Sequence, residues 1–290
     1  MRKLLLMLIL STIILVFFAS VCAGGTTPKF VDDSFDVIVD RLPKNFKGND
    51  PFHISKLLAR HLKDFESTEF EKVEEYKLRM MSFANKKLTN KINFNDTLAF
   101  VVPFDKGDEI TYDADSSVMH MDLRVGTADN KYTEYWMKYR HRDSHGNFHD
   151  VSPTAVVLSF KDIPVKNYIA TNAFNNKILV KSSISKLIDL AIINDDDIMN
   201  YAVKLSFNIQ SDKAKKLKQN GSILYVGNLI PPYYAKSAEF SNATLDQPLE
   251  VTLDIQYIAM KVTEIWIFDS ISGEIYYKHK LQYPTKVDGL

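Results

Sequence analysis

Three of the seven histidines of this chain fall within ten residues of one another, and no denser group of potentially reactive side chains is visible. They are His141, His145 and His149, accompanied by Asp143 and Asp150. Imidazole and carboxylate are ligands that zinc, copper or nickel would take, and a four-residue spacing would stack the three rings on one helix face. The surrounding sequence predicts a strand and a turn instead, so we expect the histidines to scatter around a loop and to be solvated.

A basic row precedes these histidines. On a strand, side chains two residues apart share a face, so Trp136, Lys138, Arg140 and Arg142 would line one side. Such a row could meet an anionic ligand or an acidic partner. The interpretation that we favour is an exposed strand whose cations serve solubility and edge protection, because a sheet with one wet face normally carries charge there.

Most catalytic signatures that a single sequence can reveal are missing. The chain has no GxxxxGK[ST] or GxGxxG loop, no GxSxG elbow and no HExxH helix, and its one Cys excludes CxxC zinc sites. Ser–His–Asp triads and carboxylate pairs built from distant segments stay open, because they are recognised by geometry. We therefore predict no cofactor, and we assign no catalytic residue and no metal ligand.

The first 23 residues predict export. Arg2 and Lys3 precede an apolar stretch over residues 4–18, and small residues follow up to Ala23. This is the pattern of a secretory signal peptide, cut after Ala23. Two alternatives stay open: an uncleaved membrane anchor, and a lipoprotein acylated at Cys22, although the residues before Cys22 match a lipobox poorly.

Composition limits what the remaining chain can be. Of the 290 residues, 46% are hydrophobic, which is enough for a sizeable core. The 36 basic and 36 acidic residues cancel, and we expect no nucleic-acid partner, because phosphate binding requires a basic excess. After cleavage the chain would have no Cys, so core burial rather than disulfides would have to stabilise it.

Helical patterns come early in the chain. Asp50 is predicted to cap a helix with Pro51 at its first position, and apolar spacing extends this helix to about residue 65. His61 lies on its apolar stripe and is expected to be a boundary histidine with a hydrogen-bond partner. Thr68 and Glu71 predict a capping box for a second helix. Its inner face would carry Phe70, Val73, Met80, Met81, Ala84 and Leu88.

The apolar period changes from helix to strand near residue 92. Residues 201–209 give the cleanest alternation and should bury one face, and residues 249–257 alternate again. The segments on either side of Gly273 predict a hairpin. Residues 178–193 suit a helix or a strand, and the polar stretch 237–247 is predicted to be a long loop.

These patterns predict an α+β fold, in which N-terminal amphipathic helices pack on a mainly antiparallel β-sheet. We expect one domain over residues 24–290, with a sub-boundary near residues 126–131 as the alternative. No internal repeat is visible.

The sequence predicts a compartment more clearly than an activity. We expect an exported protein, periplasmic or extracellular, which serves as a non-enzymatic binding or structural module of the cell envelope. The alternative is an exported hydrolase or metal-dependent enzyme that uses the segment with His141, His145 and His149.

Overall fold

A computed structural model describes residues 29–66, 68–104, 108–124, 126–127, 154–171, 175–192 and 202–281. Three predicted features lie outside these ranges: the signal peptide over residues 1–23 with Cys22, the basic row of Trp136, Lys138, Arg140 and Arg142, and the histidine cluster. The predicted sub-boundary lies partly inside, because residues 126–127 are described.

The helices are short. They are α1 (Pro51–Ala59), α2 (Leu62–Phe65), α3 (Val73–Ser82) and α4 (Ser211–Asn220), with a 3₁₀ turn at Phe83–Asn85. The Asp50 carboxylate accepts a hydrogen bond from the Phe52 N–H at 2.9 Å, and Pro51 opens the first turn. Helix α1 therefore begins where the sequence predicts. None of the described helices is long and apolar enough to cross a membrane.

Strands dominate the described chain. They are β1 (Thr97–Pro103), β2 (Glu109–Asp113), β3 (Val118–Arg124), β4 (Gly126–Thr127), β5 (Thr154–Thr171), β6 (Lys177–Ile192), β7 (Ala202–Asn208), β8 (Gly221–Ser241), β9 (Leu249–Asp269) and β10 (Ile275–Lys280). One sheet has seven strands in the order β1-β8-β9-β6-β5-β4, with β10 also paired to β9, and a second sheet has the order β2-β3-β7.

Strand β9 organises the large sheet. It pairs antiparallel with β8 from Asp269 to Val251, with interruptions in register. Its other edge is shared by two strands, because residues 249–260 pair in parallel with β6 and residues 264–268 pair antiparallel with β10. The large sheet is therefore mixed.

The main core lies between one face of the large sheet, the small sheet and the helices. Its members are drawn from all three layers, as Ile258 and Met260, Met119 and Leu205, and Leu58 and Met80 illustrate. Each such side chain contributes about 1.5–3 kcal/mol when fully buried. The buried Tyr233 hydroxyl donates to the Met80 carbonyl at 3.0 Å, which ties β8 to α3.

The N-terminal segment covers the opposite face of the sheet at one end. Phe35 and Phe46 pack there against Trp266 and Phe268. The Leu42 N–H donates to the Gly273 carbonyl at 2.9 Å, and this glycine has a φ of +75°. A β-carbon at this glycine would overlap the Leu42 carbonyl, so the hairpin predicted around Gly273 requires glycine for both conformation and space.

The predicted fold class was wrong. Among the described residues 55% lie in strands and 17% in helices, and the sheet is mixed rather than mainly antiparallel with long N-terminal helices on it. The helical period at residues 51–88 is real but ends early, since α1, α2 and α3 are separate short segments. Strand content was underestimated because β5, β6, β8 and β9 are each 16 to 21 residues long.

The second helix begins later than predicted. The Thr68 N–H donates to Glu71 at 3.4 Å as expected, but the helix begins four residues further along, after a similar bond in which the Lys72 N–H donates to Glu75 at 3.1 Å. Phe70 consequently lies before the helix and is 89% exposed. Of the other residues predicted for the inner face, Met80 and Leu88 are buried and Met81 is exposed.

The loop predicted over residues 237–247 is also partly wrong, because β8 continues through Pro231 and Pro232 to Ser241. The prolines lie where the register with β9 shifts, between Leu229 and Tyr234. Proline is tolerated at such an irregularity because no ladder hydrogen bond is lost there. Residues 178–192 of the ambiguous stretch lie in strand β6.

Candidate functional site

The two candidate sites predicted from the sequence lie outside the part of the chain that the structure describes. The basic row and the histidine cluster both fall in residues 128–153, outside the described ranges. Within the residues that are described, no group of three or more His, Cys, Asp or Glu side chains could hold a metal ion. His61 is a boundary histidine as predicted, because its Nδ1 lies 3.0 Å from Asp64 and its ring packs against Phe94.

The four longest strands extend beyond the core as an arm. We define the arm as residues 157–171 of β5, 177–189 of β6, 235–241 of β8 and 249–257 of β9, which lie side by side in the order β8-β9-β6-β5. Its tip is the end at residues 171 and 177. Its base adjoins the core, where Ser55 of α1 donates to Gln256 at 2.6 Å.

The two faces of the arm differ in polarity on β9, whereas β6 places Ile178, Val180 and Ile184 on the side of the polar β9 residues. Strand β9 places Glu250, Thr252, Asp254 and Gln256 on one side, which we call the polar face. There the Tyr168 hydroxyl of β5 donates to Glu250 at 2.6 Å across β6. Hydrogen bonds between strands therefore satisfy part of the polar face within the chain itself.

The opposite side, which we call the apolar face, carries large hydrophobic side chains from three strands. They are Leu249, Val251, Leu253, Ile255 and Tyr257 of β9, Leu179 and Leu187 of β6, and Val157, Phe160 and Ile169 of β5. The exposed fraction is 67% for Ile169, 58% for Phe160, 56% for Leu179 and 51% for Leu249. Burial rises toward the base, where Ile255 and Tyr257 are covered.

The size of the apolar face suits a binding surface. Four strands spaced about 4.8 Å apart and seven cross-strand rows give a face of about 15 Å by 40 Å, or about 600 Å². About half of its positions carry apolar side chains. Monomeric proteins rarely expose contiguous apolar patches above a few hundred Å², and larger ones mark interaction sites. The exposed end of the arm is therefore the described region with the clearest functional geometry.

One ionisable group is buried in this face. Asp189 of β6 is 7% exposed and pairs across the sheet with Val157 and Tyr257. Its Oδ1 accepts no hydrogen bond. Because burial removes water from the carboxylate, the pKa of Asp189 is raised from 3.8 to about 6. An unsatisfied buried oxygen is costly, so this position needs an explanation beyond fold stability.

Four further charges lie on the exposed part of the apolar face, and one of them is Glu239 of β8, which pairs with Leu253. Lys177 and Lys181 of β6 stand toward the tip, and neither forms an ion pair within the described residues. Asp162 of β5 lies further toward the base and accepts a hydrogen bond from Ser185. Basic and acidic groups therefore occupy different ends of the same surface.

The outer edge of β5 is built against strand pairing. Only residues 154–155 pair there with β4 in the described chain. Further along, Pro164 cannot donate a ladder hydrogen bond, and the register shifts near Leu158 and again near Val165. Lys161 adds an exposed charge. Proline, bulges and lysine are the devices that prevent edge-to-edge association, so the face of the arm, not its edge, is left available.

A hollow of about 370 Å³ beside the N-terminal segment is a weaker candidate. Phe30, Phe46 and Phe52 line it, and Lys47 is its one charged residue among those described. Its size falls in the range of small-molecule sites. However, the Asn49 amide at its wall already bonds the backbone of Val31, Asp33 and Ala99, so this polar group supports the fold rather than a ligand.

The chain matches no protein-family model, and comparison with curated proteins and with solved structures gives no match either. The geometry alone therefore carries the functional argument. It provides a face with exposed apolar side chains at the end of the arm.

One pattern in the sequence points to this surface. The alternation over residues 249–257 predicts that one face is apolar, and this is confirmed. Alternation does not predict how much of that face is covered, and Leu249 is half exposed. Periodicity reports that one side of a strand is apolar and cannot report what covers it.

Proposed function

We propose that the protein is an exported binding or structural module of the cell envelope, without enzymatic activity, which holds a partner on the apolar face of its arm. The single observation that carries this proposal is the exposure of Ile169, Phe160, Leu179 and Leu249 on one contiguous face. Such a surface is costly in water unless something covers it during function.

Export is supported by the sequence of residues 1–23, with its basic start, apolar stretch and small residues before the expected cleavage. A mature chain without Cys is suited to this compartment only if its core is large. The described core is large enough, because it combines two sheets and four helices around one cluster.

Site-specific photo-crosslinking in the cells that produce the protein tests the binding role. A photoreactive amino acid at Leu179 should form covalent adducts, because this residue is central to the exposed apolar face. The matched control is Leu78 on α3, which is 68% exposed, comparable with the 56% of Leu179, but is not on the arm. Adducts at Leu179 and none at Leu78 would support the proposal, and no adduct at either position would overturn it.

The mass of the protein recovered from the envelope or medium tests export. Loss of residues 1–23 is expected, and recovery from the cytosol with an intact N-terminus would contradict it. Metal analysis of the same material decides the enzymatic alternative, because a stoichiometric transition metal would favour the segment with His141, His145 and His149 over a binding module.

A further inference from the structure

Cross-strand pairing arranges the apolar face in seven rows. From tip to base, the β6 residues of these rows are Lys177, Leu179, Lys181, Ser183, Ser185, Leu187 and Asp189. Their β5 neighbours are Thr171, Ile169, Asn167, Pro164, Asp162, Phe160 and Val157. From the third row on, the β9 neighbours are Leu249, Val251, Leu253, Ile255 and Tyr257.

A second copy of this face can be laid on the first so that its rows run in the reverse order, with Ser183 opposite Ser183. The rows of the two copies then complement each other. Leu179 then lies opposite Leu187. A two-fold axis in the plane of the interface, perpendicular to the strands, produces this reversal, because it inverts strand direction while keeping each strand over its own copy. The apolar residue of each copy meets an apolar residue of the other, and the row that contains Lys181 meets the row that contains Asp162.

The neighbouring strands agree with the same axis. On β5, Ile169 lies opposite Phe160, so the two most exposed large side chains of the face would cover each other. On β9, Leu249 lies opposite Leu253. Lys181 lies opposite Ser185, whose β5 neighbour is Asp162, so each lysine would reach the other copy's aspartate.

Other positions of the axis are worse. An axis at Lys181 would place this lysine against its own copy, and like charges in contact cost several kcal/mol. An axis at Ser185 would place Leu179 over Ala191, which is already fully buried within the chain. Ser183 is small and central, and it allows two sheets to approach closely.

The area is also sufficient. About 600 Å² on each copy gives a total of about 1,200 Å², which is the lower end of the range for specific interfaces. Face-to-face sheets pack at about 30° to one another because of their twist, so the contacts nearest the axis would be the closest.

We propose that a second copy of this chain is the partner that covers the apolar face, as a two-fold pair centred on Ser183. This inference rests on the proposed function and names the occupant of the same surface. The protected edge of β5 agrees with it, since edge pairing is blocked while the face stays open.

Analytical ultracentrifugation of the purified full chain tests the pairing. The wild-type chain should sediment as a dimer, and Leu179→Glu should sediment as a monomer, because it buries a charge in the apolar rows. Leu78→Glu is the matched control and should remain dimeric. A wild-type chain that stays monomeric at every soluble concentration would overturn the inference.

A charge exchange tests the register. Lys181→Glu and Asp162→Lys should each raise the dissociation constant of the dimer about tenfold or more, because like charges would then face each other. An equimolar mixture of the two variants should dimerise again. In the mixed dimer the two charges of one 181–162 contact are exchanged, and the other contact is the native one. A dimer that Leu179→Glu abolishes, but that neither charge variant weakens, would contradict the axis at Ser183.

The photo-crosslinked adducts separate this inference from the proposed function. Adducts at Leu179 with twice the chain mass support the second copy. If the chain is monomeric and forms adducts with other proteins, the inference of a second copy is wrong and the proposed binding role is retained. Binding of the monomer to lipid vesicles, lost in Leu179→Glu, would likewise replace the second copy by a membrane surface. A monomer without adducts overturns both.

Discussion

Replacing Asp189 by asparagine should remove a pH dependence from the stability of this protein. The carboxyl is buried on the apolar face, and burial raises its pKa from 3.8 to about 6. Each pH unit by which the folded and unfolded pKa values differ is worth about 1.4 kcal/mol. Ionised Asp189 therefore costs the folded chain about 3 kcal/mol at neutral pH, relative to the protonated form.

The direction follows from proton binding. Between pH 4 and pH 6 the folded chain holds a proton on Asp189 that the unfolded chain has released, so stability falls as pH rises through this window. Carboxyl groups whose pKa is lowered in the folded chain have the opposite effect, because they make stability rise with pH. Hydrogen bonding to Arg79 lowers the pKa of Glu71, and hydrogen bonding to Ser116 lowers that of Asp113. The informative quantity is therefore the difference between wild type and variant.

The assay is urea denaturation at pH 4 and at pH 7, at a protein concentration low enough for the chain to be monomeric. The difference in unfolding free energy between wild type and Asp189→Asn should change by about 2 kcal/mol between the two pH values, in favour of the variant at pH 7, because part of the effect is already present at pH 4. Leu187→Ala, on the same face and strand, carries no charge and should destabilise equally at both. An Asp189→Asn variant that retains the wild-type pH dependence would refute the assignment of a buried, unpaired carboxylate.

Three further substitutions test the fold by urea denaturation at pH 7. Gly273→Ala should destabilise the chain by about 2 kcal/mol, because alanine is strained at positive φ and its β-carbon would overlap the Leu42 carbonyl. Asp50→Ala should cost about 1 kcal/mol through loss of the cap of α1. Tyr233→Phe should cost about 1 kcal/mol, because it removes the buried bond to the Met80 carbonyl while keeping the ring.

Each of these substitutions has its own control. Asp50→Asn keeps a capping side chain and should retain most of the stability that Asp50→Ala loses. Ile271→Ala, two residues before Gly273, changes an exposed side chain at ordinary φ and should be nearly neutral. If Gly273→Ala were as stable as wild type, the close approach between the hairpin and the N-terminal segment would not exist.

Local features were predictable where they depend on neighbouring residues. The start of α1 follows from Asp50 and Pro51, because capping needs only side chains and amides within one turn. Strand β7 and the hairpin at Gly273 follow from alternation and from a position that glycine favours. The helix start predicted at Thr68 was wrong because a similar Lys72–Glu75 arrangement competes four residues later.

The candidate site was less predictable. Histidines and cations are concentrated in residues 136–150, so the sequence predicts a candidate site there. This segment lies outside the described structure. The sequence does not reveal the apolar face, because its members lie on three strands that are far apart in sequence. Ile169 and Leu179 become neighbours only through pairing, and so do Phe160, Leu187 and Ile255.

The sequence by itself determined which side of each strand is apolar, where several elements begin, and that the chain carries an export-like start with one Cys. Tertiary structure decided the rest. It extended β8 through a pair of prolines, paired β6 in parallel with β9, and left the end of a four-stranded arm uncovered. The physical reason is that side-chain alternation is a local property, whereas burial depends on which distant segment arrives to cover the face.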